Sequence, residues 1–129
     1  MTQYSKPIPE HHQIIMPYLI VEGAANLIRF LQAAFDGEVM HQEDRSEGVI
    51  MHAEVKIADC TVMMADATKD FKAMPANLYI YVGDTDASYQ KAIEAGGITI
   101  REPYDESYGA RAAGVQDPVG NVWWLATLK

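Results

Sequence analysis

The chain is written twice. Tyr18-Leu19-Ile20-Val21 opens a strand–helix–strand pattern, and Tyr79-Ile80-Tyr81-Val82 opens it again 61 residues later. The same offset carries Met63-Met64-Ala65 onto Trp124-Leu125-Ala126 at the end of each half. A repeat of this length is one supersecondary unit that cannot bury its own apolar face, so two of them must pack together. A groove between such halves is where a small molecule would sit.

Periodicity fills in each half. The first unit, residues 14–66, reads as a strand over 14–21, a helix over 24–35 and strands over 38–43, 49–57 and 60–65. Leu27, Phe30, Leu31 and Ala34 share one face of the helix, and Gly37 is placed to cap its end. A polar connector, 67–76, carries Phe71 and Met74, which read as loop anchors or as a cover for the groove. The second unit, residues 77–129, repeats the order. Its strand covers 77–82, and Asp84 or Thr85 caps a helix ending at Gly96-Gly97. Strands follow over 98–103, 110–116 and 122–128. Asp117-Pro118-Val119-Gly120 is a type I turn. Residues 1–13 are polar and contain Pro7 and Pro9, which predicts a loose or strand-swapped arm.

Composition excludes several classes. At 129 residues the chain is one domain with room for a hydrophobic core. Its net charge of −8 argues against nucleic acid, which requires a basic footprint. The acidic balance suits a cationic ligand or simply solubility. No apolar run approaches the roughly 20 residues that span a bilayer. The first residues lack the order of a signal peptide, so a cytoplasmic protein is expected. The single cysteine, Cys60, alternates with Val62 and Met64 and reads as a buried, inert thiol.

Two βαβββ units in one short chain resemble the vicinal oxygen chelate superfamily, which includes glyoxalase I, extradiol dioxygenases and bleomycin-resistance proteins. The specific stretches are Met16-Pro17-Tyr18-Leu19-Ile20-Val21, Met51-His52-Ala53-Glu54, Tyr108-Gly109-Ala110-Arg111 and Asp117 to Trp123. They are similar to the PhnB-like branch. The resemblance implies an α+β fold, two βαβββ modules forming a curved mixed sheet with a central groove, and a homodimer. It also implies where a metal would sit. Relatives place His or Glu on the first and last strands of each half, and those positions fall here on Met16, Met63, Asn77 and Trp124. None suits a hard divalent ion, which takes carboxylate, imidazole or carbonyl donors. No metal and no cofactor are therefore expected at these positions.

Alternation places Met16, Tyr18, Met63, Asn77, Tyr79, Tyr81 and Trp124 on the groove side. This aromatic and methionine wall suits a flat apolar, aromatic or cationic ligand, or else packs on itself as a dry core. Arg111 stands near the loop 104–108 and could pair with Asp105 or Glu106 to hold that loop over the groove. His52 and Glu54 alternate along one strand and share a face, while Met51, Ala53, Val55 and Ile57 point the other way, towards the helix. With His41 across the hairpin, His52 and Glu54 could bind zinc, or His52 could act as a base tuned by a carboxylate. They could equally be ordinary polar residues satisfied by each other. The leading expectation is a metal-free protein that binds a small molecule. The alternative is a lyase, isomerase or dioxygenase built on His52 and Glu54.

Overall fold

Each half folds as a strand, a helix and three further strands. The computed structural model describes residues 7–129. The elements are β1 (Tyr18–Val21), α1 (Ala24–Phe35), β2 (Glu38–Ser46), β3 (Val49–Ile57) and β4 (Cys60–Asp66). Then come β5 (Asn77–Tyr81), α2 (Thr85–Glu94), β6 (Ile98–Asp105), β7 (Ala110–Gln116) and β8 (Val122–Leu128). The strands form two four-stranded sheets, in the orders β1-β4-β3-β2 and β5-β8-β7-β6. The repeat is written in the register: Tyr18 lies opposite Met63, and Tyr79 opposite Trp124. Of the arm expected over residues 1–13, residues 1–6 lie outside the described part.

One face of each sheet is closed by its own helix, and the helices pack on each other. Leu19, Val21, Val62 and Met64 point to that side in the first half, and Trp123 and Leu125 in the second. The Phe35 ring lies 5.3 Å from that of Trp123, so the two halves share one core. Side chains of opposite parity point away from the helices. Among them Tyr18, Tyr79 and Tyr81 are exposed. Among the described residues no helix is long and apolar enough to cross a membrane.

Several local expectations are corrected. β1 starts at Tyr18 rather than residue 14, because Pro17 has no N–H to give and contributes only its carbonyl, which accepts from the Met63 N–H at 2.8 Å. Upstream, the Gln13 side-chain amide replaces the ladder, donating to Thr61 O at 2.8 Å and accepting from Thr61 N at 3.0 Å. Cys60 is exposed, at the mouth of the turn before β4, whereas Val62 is buried. Partial desolvation and the neighbouring Asp59 push its thiol pKa up, so it stays protonated. Met51 faces solvent because a bulge opposite Glu43 and Asp44 turns Ile50 into the core instead. The left-handed residue ending α1 is Asp36 (φ 56°), not Gly37. Gly37 is needed for closeness: a Cβ there would sit 2.8 Å from Val55 Cγ1. Gly97 repeats the arrangement against Val115 in the second half.

The helix starts are held by different chemistry at equivalent places. Asp84 caps α2 by accepting from the Ala87 N–H at 3.1 Å. Gly23 at the start of α1 has no side chain to offer, so Asp66 at the end of β4 does the work. Its Oδ1 accepts from the N–H groups of Gly23 and Ala24 at 2.9 and 2.8 Å, and Oδ2 from Ile50 N–H at 2.7 Å. Burial pushes the Asp66 pKa up, but the bonds from Ala24, Ile50 and Gly23 outweigh it and hold the group below the usual aspartate range. In the turn before β8, buried Asp117 accepts from the backbone of Val119 and Asn121 and from the Trp123 indole at 2.8 Å. The Asp117 to Trp123 motif is therefore structural.

Asp66→Asn sets an amide NH2 against an N–H donor whichever way it is turned. The variant should lose about 2 kcal/mol at pH 7, read from urea melts. A carboxylate with a lowered folded-state pKa stabilises above the ordinary aspartate value, and that stability is lost as pH falls through the folded value. The gap between parent and variant should therefore narrow in strong acid. Equal stability at pH 7 would refute the capping role.

Candidate functional site

The outward faces of the two sheets carry equivalent rows of side chains with different chemistry. In the first sheet the row across the strands is Tyr18, Met63, Glu54 and His41. In the second it is Tyr79, Trp124, Gly114 and Arg101. Gly114 explains part of the difference. A Cβ there would lie 2.7 Å from the Trp124 ring, so the indole lies flat across β7 where the first half has the Glu54 side chain.

The four positions expected to carry a superfamily metal are filled otherwise. The Trp124 indole N–H donates to Asn77 Oδ1 at 3.0 Å, which ties the two positions of the second half to each other. Met16 and Met63 are half-buried in the first half.

A different cluster forms one strand further in. Glu54 is 8% exposed, and three imidazoles converge on its carboxylate. His11 Nε2 lies 3.1 Å and His12 Nε2 2.7 Å from Oε1, and His52 Nε2 lies 3.0 Å from Oε2. The alternation of His52 and Glu54 thus brings them together as expected. His41 lies opposite Glu54 rather than His52, because the register that pairs Ser46 with Val49 at the turn recurs from Glu43–His52 onward. Its ring stands 6.2 Å from that of His52, while its Nε2 is 2.7 Å from Glu43. The Tyr18 ring meets His52 edge-on at 5.8 Å.

His11 and His12 were not legible as site residues. They precede the first strand and lie 43 and 42 positions from Glu54, where no periodicity operates. Besides the Gln13–Thr61 pair, the Thr61 hydroxyl donates to the His11 carbonyl. The only sequence signal was the pair of adjacent imidazoles itself.

Burial raises the Glu54 pKa, but hydrogen bonds from His12, His52 and His11 outweigh it and bring the value down to about 2. Such a carboxylate is ionised at any physiological pH and is a poor proton acceptor, since an effective base titrates near the working pH. Glu54 is suited to hold a cation or to orient imidazoles, and poorly suited to general acid–base work.

The second sheet carries the aromatic surface. The Tyr79 and Tyr81 rings stand 5.3 Å apart on the edge strand β5, and the Tyr79 hydroxyl bonds that of Tyr108 at 2.9 Å. Beyond them the Arg101 guanidinium lies 3.5 Å over the Tyr104 ring. A pocket of about 470 Å3 opens between the arm and β5, walled by Gln13, Ile15, Cys60, Ile80, Tyr79 and Tyr81. That volume is in the range of small-molecule sites. Arg111 lies elsewhere, on the α2 side of β7. Its guanidinium donates two bonds of 3.0 Å to Asp86 and stands 3.4 Å from Asp105. It braces the 104–108 loop through Asp105 but does not join the tyrosines.

Comparison with known proteins agrees with this architecture. A sequence model of the Glyoxalase/Bleomycin resistance protein/Dioxygenase superfamily matches residues 11–125. An uncharacterized protein of Mycobacterium bovis is 31% identical over 122 residues, covering 86% of this chain and 80% of its own. The crystal structure of TioX from Micromonospora sp. ML1 superposes with a TM-score of 0.73 at 17% identity, over 91% of this chain and 97% of that one. A Bacillus cereus PhnB protein, described as a putative 3-demethylubiquinone-9 3-methyltransferase, gives 0.66 at 19% identity, over 89% and 99%. With the repeat, the paired sheets and the matched span in agreement, the chain belongs to the glyoxalase/bleomycin resistance protein/dioxygenase superfamily.

Proposed function

We propose that this protein binds a small apolar, aromatic or cationic molecule in the pocket between the arm and β5. The observation that carries the reading is the pocket of about 470 Å3 with Tyr79 and Tyr81 on its wall. The two residues are 52% and 69% exposed, so stacking surface is available. The net charge of −8 favours a cation over an anion at the same surface. Binding of this kind needs no metal at Met16, Met63, Asn77 or Trp124.

Two flat probes of opposite charge test it: thioflavin T, an aromatic cation, and anilinonaphthalene sulfonate, an aromatic anion. The cation should bind more tightly. Tyr81→Ala should weaken its binding by about 1–2 kcal/mol, read by fluorescence titration. Trp124, one strand further in, lies outside the wall of this pocket. Unchanged affinity in folded Tyr79→Ala and Tyr81→Ala variants would refute the pocket.

The same proposal includes a homodimer. Tyr18, Ile98 and Ile100 leave large apolar side chains uncovered on a single chain, away from the tyrosines of the pocket, and contiguous surface of this kind marks protein contacts. Sedimentation at micromolar concentration should give twice the 14.3 kDa chain mass. A monomer there would count against it.

A further inference from the structure

We propose that His11 Nε2, His12 Nε2 and one carboxylate oxygen of Glu54 form a site for a divalent transition-metal ion of the zinc class, apart from the four positions the superfamily uses. Geometry comes first. These donor atoms all lie within 4.8 Å of one another. A tetrahedral zinc with bonds of about 2.0–2.2 Å sets neighbouring donors about 3.3–3.5 Å apart. The observed separations of 3.1 and 2.7 Å from Oε1 reach that value when the His11 and His12 rings back away by about 0.2–0.4 and about 0.6–0.8 Å.

The donor chemistry selects the ion. Two imidazoles and a carboxylate suit zinc and its neighbours, whereas calcium and magnesium take oxygen donors. Three protein ligands also leave a fourth position for water or a ligand atom. His52 supplies outer support, since its Nε2 holds Oε2 at 3.0 Å and fixes the carboxylate plane.

Two further observations act together. The arm is tied down without the ion, because Gln13 makes two bonds to Thr61 and the Thr61 hydroxyl bonds the His11 carbonyl. Both histidines are thus delivered to Glu54 by contacts that do not involve their rings. Charge is also unbalanced. Among the described residues Glu54 pairs only with imidazoles, and no lysine or arginine reaches it. With neutral imidazoles the cluster holds a nearly buried negative charge, which a divalent ion would offset.

The test uses the full chain, stripped with a chelator and titrated with zinc chloride and with cobalt(II) chloride. Calorimetry and metal analysis should give close to one ion per chain, and cobalt should show the intense visible absorption of low-coordinate Co(II). His12→Gln keeps a hydrogen-bond donor for Glu54 but removes the imidazole ligand, and it should raise the zinc Kd at least about tenfold. His11→Gln should do the same. His41→Ala, whose ring is engaged with Glu43, should leave the Kd unchanged. Failure to bind zinc, or equal affinity in the His11→Gln/His12→Gln double variant, would overturn the site and leave the histidines as a hydrogen-bonded clasp for the arm. No organic ligand enters the titration, so its failure would not touch the pocket reading.

Discussion

The packing of α1 on α2 decides what the rest of the molecule can be. Each helix covers one face of its own sheet, and the Phe35–Trp123 contact joins the two covered faces into one core. Once both helices are committed to that core, no helix or strand among the described residues remains to cover the outward faces, and only the arm over residues 11–15 reaches across one of them. The outward rows are therefore free to carry chemistry without weakening the fold. This is the physical reason a superfold of this kind can host many functions.

The two rows show how far equivalent positions have drifted. Glu54 and Gly114 occupy matching places, as do His41 and Arg101. In the second half the glycine makes room for the Trp124 ring, and the indole then seeks the nearest acceptor, Asn77. In the first half the carboxylate is kept, and the side chain beside it, Met63, offers nothing to bond. One row has become aromatic and the other ionic. The repeat conserves the backbone register and leaves the side-chain chemistry free.

Much of this was legible in the sequence. The offset between Tyr18 and Tyr79 recurs as strand register, and α1 spans the residues its apolar face predicts. The shared face of His52 and Glu54 followed from alternation alone. What failed has local physical causes. A bulge moved Ile50 into the place expected for Met51, and a proline shortened β1. Alternation also assumes that a strand residue is covered, which Cys60 at the mouth of a turn is not. Arg111 lies near the loop its sequence position predicts but faces α2 rather than the groove, because its face follows Ala113 and Val115. His11 and His12 had no pattern to betray them, since an arm laid back over a sheet has neither helical nor strand period.

The arm is best understood from the carboxylate it covers. A charged group 8% exposed is costly to bury unless it is fully hydrogen-bonded. From its own sheet Glu54 receives one bond, from His52, on Oε2. Oε1 is satisfied only when His11 and His12 arrive, and they arrive because Gln13 imitates a strand against Thr61. Gln13 and Ile15 of the same segment then form part of the wall of the pocket beside Tyr79 and Tyr81. A single short segment thus satisfies the hydrogen bonding of the ionic face of the first sheet and shapes the binding surface of the second. Any cation held by Glu54 would stiffen that segment, so charge at one face and shape at the other are linked through residues 11–15.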